Sequence, residues 1–366
     1  MRPDVRVFHS PSGDPWFNLA VEDWLFRSNP PGTQTLFLWR NDPSVVIGRY
    51  QNPWVECNVP AMDAVGVHLV RRQSGGGTVY HDRGNTNFTF ISPADSYQQD
   101  HNFQIVLKAL SWFGLQVQRS DRNDILVATD QGKRKISGNA FKHTRQRCFH
   151  HGTLLIKADL ERLQEYLLPS EKPLRARGSR SVSSPVANLA DLCKTISHDT
   201  LAAALKEAFA TFYGGACREE YLDRSSLAAF PEVDAYYRKM LSWEWRYGAT
   251  PEFVLEIPLS HLEEYLCEMD PLEEEKPEPE KELKHSREKG TAELVIEEGR
   301  IRHIMVHCSD PRRFRKESLL GMRCDEVLRG IGRSNSRIAG TDLVHHRTEG
   351  GDFREYSYRG TTGRNS

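Results

Sequence analysis

The chain lacks any long apolar run. No stretch approaches the ~20 consecutive apolar residues that a membrane-spanning helix needs, and mean hydropathy is −0.59, so no membrane role is expected. It also lacks a charge bias. Lys and Arg number 49 against 50 Asp and Glu, a net charge of −1, which gives no overall attraction to nucleic acid or anionic lipid. Cysteine is scarce and unpatterned. The seven (Cys57, Cys148, Cys193, Cys217, Cys267, Cys308, Cys324) are odd in number and never in C-x-x-C spacing. That argues against a disulfide framework or structural zinc, and for a reducing compartment. No G-x-x-x-x-G-K-[ST] P-loop occurs, so any nucleotide site must be of another type. The N-terminus has neither a signal-peptide apolar region nor a Ser/Arg-rich presequence. A cytoplasmic location is expected, or a mitochondrial one in a eukaryotic cell. Internal repeats are absent.

What is present suits a globular protein. At 366 residues, 38% hydrophobic and 10% aromatic, the chain can bury a sizeable core in one large domain plus a smaller one. Strands are expected at Val5–His9, Thr35–Trp39, Ser44–Ile47, Val67–Arg71, Thr78–Tyr80, Asn87–Ile91, Asp124–Thr129 and Gly152–Ile156. The Asn41-Asp42-Pro43 turn signal suggests that the second and third form a hairpin. Helical spacing marks Pro15–Arg27, Phe103–Phe113, Leu160–Leu168, Leu201–Phe212 and Val233–Leu241. Trp243 and Trp245, two apart, suggest opposite faces of a strand or loop. Strands with few helices between them indicate an α+β fold with a mixed β-sheet rather than a regular βαβ series. The expected division is residues 1–250, then a small α+β C-terminal domain over 251–332, then a polar tail over 333–366. Residues 270–289 are charged and Pro-bearing, and should be a disordered insertion. In the small domain, a hairpin is expected over 292–306 and a helix from Glu317.

The densest chemistry lies in Arg71-Arg72-Gln73-Ser74-Gly75-Gly76-Gly77-Thr78-Val79-Tyr80-His81-Asp82. Glycines let a backbone adopt φ > 0 and let a ligand approach the main chain. Successive N–H groups can cradle an anion, and a neighbouring arginine can fork onto phosphate or carboxylate oxygens. The same residues would also serve as a plain turn between strands. Lys135 follows, in Gly132-Lys133-Arg134-Lys135-Ile136-Ser137-Gly138. Held between a strand and a glycine turn, it can present a point charge into a cleft, although a basic triplet is also what a solvated turn looks like. Asp124 could orient that lysine or meet a metal ion, or simply cap a strand. His143, His150 and His151 invite a zinc reading. Consecutive histidines on a strand point to opposite faces, however, which makes joint chelation awkward. Cys148 has no separately oriented base to make it a nucleophile. The basic, Ser-rich stretch from Leu174 to Val186 reads as a loop, either functional or a solvated connector.

Taken together these pieces resemble the lipoate–protein ligase A family, within the larger biotin/lipoate ligase group. The carriers of the resemblance are Asp14-Pro15-Trp16-Phe17-Asn18-Leu19-Ala20, Leu36-Phe37-Leu38-Trp39-Arg40-Asn41, Val46-Ile47-Gly48-Arg49, Asn52-Pro53-Trp54, the glycine stretch through Asp82, Lys135-Ile136-Ser137-Gly138, and Phe149-His150-His151-Gly152-Thr153-Leu154-Leu155. The resemblance implies a catalytic domain of the biotin/lipoate ligase type. It also implies a two-step reaction: lipoate and ATP give lipoyl-AMP and pyrophosphate, and the lipoyl group then passes to a carrier lysine. Lys135 would be catalytic. Arg72, Gly77, Thr78, Val79 and Tyr80 would bind the adenylate with Lys135. Lys135, Arg72, Gly76, Ser74 and His81 would bind lipoate. Asp124 would be related to Mg²⁺ or phosphate, with Mg²⁺ carried on ATP and no resident metal site. The implied partners are lipoyl domains of 2-oxoacid dehydrogenase E2 subunits and the glycine-cleavage H protein, with the enzyme a monomer. Arginines that the family carries near Ser183 and Pro185 are missing, so their contact would be lost or pass to Arg177 or Arg180. Two alternatives remain open at this point: a lipoyl or octanoyl transferase using a pre-activated donor without ATP, and a non-catalytic adaptor for lipoyl domains.

Overall fold

A computed structural model describes residues 3–168, 175–269, 290–309 and 316–338. The expected insertion at 270–289 and the tail beyond residue 338 lie outside the described residues. The frame is a six-stranded mixed sheet in the order Asn139–His143, Arg147–Leu155, Asn85–Pro93, Thr33–Trp39, Asp4–His9, Arg218–Tyr221. The first four strands pair antiparallel, and the last two add in parallel.

Both faces of this sheet are covered, and alternate residues serve different cores. From Thr33–Trp39, Leu36 and Leu38 meet Phe103, Val106, Leu205 and Phe209 of the helices Gln99–Ser111 and His198–Tyr213. Phe37 and Trp39 face the other way, toward Phe17, Val21 and Leu25 of the helix Pro15–Ser28 and Val233 and Met240 of Pro231–Leu241. Period-2 alternation is what places them so. The helix Pro15–Ser28 starts where the sequence says it should. Asp14 accepts from the N–H groups of Trp16 and Phe17, and Pro15 occupies the first turn, a cap worth about 1 kcal/mol.

A three-stranded sheet holds the glycine stretch, with Ser44–Ile47 in the centre, His68–Arg71 parallel on one side and Val79–His81 antiparallel on the other. This corrects the hairpin expectation. Thr33–Trp39 and Ser44–Ile47 belong to different sheets, and Asn41-Asp42-Pro43 carries the chain between them. Every residue of both strands is buried, and such strands carry no alternation that would name a pairing partner. A third, antiparallel sheet runs Val117–Arg119, Ile125–Thr129, Gly132–Ser137.

The last sheet is antiparallel: Arg175–Ala176, Phe253–Pro258, Thr291–Glu297, Arg300–His307. Helices Leu259–Met269 and Cys324–Ile338 accompany it. Its core is continuous with that of the glycine-stretch sheet: Val45, Ile47, Leu69 and Tyr80 join Phe253, Leu255 and Leu294 by way of Trp54 and Tyr247. The helix expected from Glu317 is only a 3-10 turn, Lys316–Leu319; the helix starts at Cys324 and runs through Ile338. Trp245 sits on a helical turn, Glu244–Gly248, with Trp243 at its N-cap, rather than on a strand. The two side chains do part company: Trp245 Nε1 donates to the Arg71 carbonyl at 2.6 Å, and Trp243 Nε1 to Asp325 at 2.9 Å.

Candidate active site

The glycine loop leaves the His68–Arg71 strand, and two arginines fix it from below. Arg71 is fully buried. Its guanidinium donates to the carbonyls of Gly48, Arg49, Gln51, Trp245 and Arg246 and to Thr250 Oγ1. It thereby ties the loop's entry strand to residues 48–51 and 245–250. Arg72 is equally buried and is directed into the loop itself. Nε donates to Ser74 Oγ at 2.9 Å, Nη1 to Val46 O at 3.0 Å, and Nη2 to Gly75 O at 2.6 Å and Gly77 O at 2.7 Å. Desolvation pulls Arg72 down to about 10, so it stays charged at neutral pH. Gly76 sits at φ +84, a conformation that a Cβ would strain.

A second chain of contacts stiffens the loop from the large sheet. Glu22 Oε1, buried, takes His151 Nδ1 at 2.7 Å and the Thr89 hydroxyl at 2.7 Å. His151 Nε2 lies 2.7 Å from Ser74 Oγ. Glu22 can only accept as a carboxylate, so the shared proton is on Nδ1. Ser74 Oγ, which accepts from Arg72, thus joins Arg72 to the His151–Glu22 pair. The neighbouring His150 points to the other face and meets Asn139 Oδ1 at 2.9 Å. His143 faces Cys148 Sγ at 3.2 Å. The three histidines thus have separate partners, and among the described residues no cluster of three His, Cys, Asp or Glu could hold a metal.

Lys135 reaches the same cavity from the Gly132–Ser137 strand. Its Nζ is 2.8 Å from Asp124 Oδ1, with both side chains mostly buried. Gly138 lies close beneath, where an added Cβ would sit 3.3 Å from Lys135 Cε and Nζ. The backbone of Lys135 is anchored to the basic Ser-rich loop. Lys135 N donates to Pro185 O at 2.8 Å and Ala187 N to Lys135 O at 3.0 Å.

That loop is a strap across the glycine loop rather than a free connector. Ser181 Oγ accepts from Thr78 N at 2.8 Å and from Gln51 Nε2 at 3.1 Å, while Ser181 N donates to Glu56 at 3.0 Å. Gln51 Oε1 in turn accepts from Gly48 N and from the Thr78 hydroxyl. One polar hub therefore joins three loops.

Between them lies a cavity of about 250 Å³. Leu19, Trp39, Val46 and Ala140 give it an apolar wall, and Arg122, Asp124, Lys135 and Arg180 give it charge. Of the residues expected from sequence, Arg72, Gly76, Gly77, Thr78, Val79, His81, Asp124 and Lys135 line it. Ser74 and Tyr80 do not. Ser74 serves the network just described, and the Tyr80 ring is buried against Tyr166, 5.6 Å between centroids. Arg180 faces the cavity, whereas Arg177 lies 3.9 Å from Glu252. Glu22, Gln51, Asn87, Arg122 and Ser181 escaped sequence reasoning. For Glu22 a signal existed: an acidic residue within a helix whose apolar spacing marks it as buried.

Comparisons with known proteins agree on one family. A model described as the lipoyl protein ligase A/B catalytic domain matches residues 14–210. The lipoate-protein ligase A of Psychrobacter cryohalolentis is 51% identical over 254 residues, covering 68% of this chain and 74% of that protein. That of Bdellovibrio bacteriovorus is 48% identical over 263 residues, covering 72% and 76%. Among solved structures, P. falciparum LipL1 in complex with lipoate matches with a TM-score of 0.59 at 28% identity, over 87% of this chain and 90% of that one. Two others at 24% identity share the fold. One is a bipartite lipoate protein ligase with its E2 lipoyl domain from Thermoplasma acidophilum (TM-score 0.55, covering 67% and 96%). The other is a lipoate-protein ligase A bound with ATP (TM-score 0.54, covering 67% and 98%). The chain belongs to the lipoate–protein ligase family of enzymes and has its α+β fold.

Proposed function

We propose that the chain activates lipoate with ATP to lipoyl-AMP, with release of pyrophosphate, and passes the lipoyl group to the ε-amine of a carrier-domain lysine. The observation that carries this is the Lys135–Asp124 pair facing the Arg72-braced glycine loop across one partly apolar cavity. Adenylation brings a carboxylate onto an anionic phosphate, so fixed cations and backbone dipoles must offset their repulsion. Lys135 is placed to hold the carboxylate and then the acyl carbonyl. Gly76, Gly77, Thr78 and Val79 offer backbone to the adenylate, with Arg122 and Arg180 near the phosphates. Arg72 acts by shaping the loop, because four of its five donors already hold protein atoms. Thr78 N is occupied by Ser181, so nucleotide binding at that position requires the strap to shift or Ser181 to exchange partners. The Leu19–Trp39–Val46 wall suits the acyl arm.

Mg²⁺ would ride mainly on the ATP phosphates and neutralise their charge; Asp124 is a carboxylate lining the cavity, and a phosphate-held ion needs few protein ligands. The acceptor is a lipoyl domain of the 2-oxoacid dehydrogenase type; the Thermoplasma neighbour is named together with its E2 lipoyl domain. The glycine-cleavage H protein is a second acceptor, and the enzyme works as a monomer. No described helix is long and apolar enough to cross a membrane. The relatives' names favour a ligase over a transferase that starts from a pre-activated donor. Pyrophosphate release tests this: it should require ATP and lipoate together. Release that ignores lipoate, or none at saturating substrates, would refute the ligase reading.

A further inference from the structure

One wall of the cavity carries hydrogen-bond donors that nothing among the described residues satisfies. Trp39 and Asn87 are cross-strand partners on adjacent strands, and His81 stands edge-on to Trp39 with ring centroids 5.9 Å apart. All three line the cavity. Buried His81 Nε2 and Asn87 Nδ2 have no partner among the described residues. Leaving a buried donor unmade costs the full desolvation of the group, so a pair of them on a substrate wall points to something in the ligand.

The direction of the His81 proton is fixed by a chain of contacts. Asn18 Nδ2 donates to two backbone carbonyls, Ser12 O and Arg40 O, which sets its amide, and also to Asn41 Oδ1. Asn41 therefore presents Nδ2 to His81 Nδ1 at 3.0 Å. Nδ1 accepts, so Nε2 carries the hydrogen. Burial, with Arg72 and His151 nearby, keeps the ring neutral by pulling it down to about 3. Asn87 Oδ1 accepts from Asn85 Nδ2 at 2.9 Å, leaving its own Nδ2 as the second donor. Both are neutral N–H groups beside Trp39, while the cations Lys135, Arg122 and Arg180 are available to carboxylate and phosphate. Neutral donors in an apolar setting suit a weak, uncharged acceptor, such as a ring sulfur.

We propose that His81 and Asn87 are specificity-determining residues: they donate to a sulfur of the dithiolane ring and select a sulfur-bearing acyl tail over an all-carbon tail of equal size. This rests on the ligase reading and names what its apolar slot prefers. An apolar slot alone discriminates poorly between similar chains. It would in fact favour the carbocycle, which loses more by staying in water.

The test compares lipoate with its cyclopentyl analogue, in which both sulfurs are methylenes. Specificity constants are read from ATP-dependent pyrophosphate release, and affinities from calorimetry on the full chain. The wild type should prefer lipoate by about tenfold. Each of His81→Phe and Asn87→Leu should shrink that preference about threefold to tenfold, the size of one hydrogen bond, by losing lipoate rather than the carbocycle. Equal use of the two acids by the wild type would overturn the proposal even if neither variant folds. So would a preference that survives in both variants, or variants that lose both acids in parallel. No pyrophosphate release with either acid would instead refute the ligase reading, and the inference with it.

Discussion

Replacing Lys135 by methionine removes a charge while nearly keeping the side chain's length. The Nζ sits 2.8 Å from Asp124 Oδ1, with side-chain exposures of 23% and 15%, so the ammonium is held in place before any ligand arrives. A pre-placed donor directed at developing charge is worth ~3–4 kcal/mol in the transition state, or roughly 10²–10³ in rate. The cost in stability is a different quantity. Asp124 loses its partner but keeps some access to water, so the fold should lose only ~1–2 kcal/mol. That corresponds to a fall in Tm of several degrees in a domain this large. Lys135→Met should therefore lose two to three decades in both pyrophosphate release and acyl transfer while unfolding cooperatively close to the wild-type temperature. Asp124→Asn, which keeps the cation but loosens it, should lose about tenfold by the same transition-state arithmetic. Thermal unfolding and single-turnover kinetics on the two variants separate the effects. Activity of Lys135→Met within threefold of the wild type would refute the assignment. So would a loss that tracks unfolding.

Other outcomes follow from the same geometry. An alanine at Gly48 would drive its Cβ into the Gly76 carbonyl oxygen. It should cost ~1–3 kcal/mol of stability and abolish activity by displacing the glycine loop, as thermal melts and initial rates would show. Arg72→Lys keeps the charge but cannot reproduce the fork onto Ser74, Val46, Gly75 and Gly77; kcat/KM should fall at least about tenfold, with a lowered Tm. Burial above all holds His81 at about 3, His198 at about 4 and His150 well down. Unfolded, they would bind protons near pH 6.5, so the unfolded state gains protons that the folded state does not. Stability should fall as pH drops from about 6.5 toward 4. A flat urea midpoint across that window would contradict the assignment.

The glycine loop and Lys135 were legible because their residue types are diagnostic: φ > 0 at Gly76 needs glycine, and Lys135 sits in a short motif beside Gly138. What joins them was not. His151 lies 129 residues from Glu22 and 77 from Ser74 along the chain, separations that no local pattern encodes. The sheet arrangement failed for a related reason. Thr33–Trp39 and Ser44–Ile47 are buried throughout, and a turn signal between two apolar runs reads the same whether the chain reverses within a sheet or crosses to another. Around the small sheet, Leu259, Leu262 and Leu266 are at helical spacing and could have marked the helix Leu259–Met269. The true start at Cys324 was obscured by Leu319, Leu320 and Met322, which cluster in the turn before it. On the Val79–His81 strand, Val79 and His81 face the cavity and alternation turns the Tyr80 ring away from it, so any part Tyr80 takes there falls to its backbone.

The most direct test is the intact mass of an apo lipoyl domain incubated with the protein and lipoate, with and without ATP. The domain should gain one lipoyl group, on one lysine, only when ATP is present. Transfer without ATP, or with a pre-activated donor alone, would contradict a ligase that makes its own lipoyl-AMP in the cavity between Lys135 and the glycine loop.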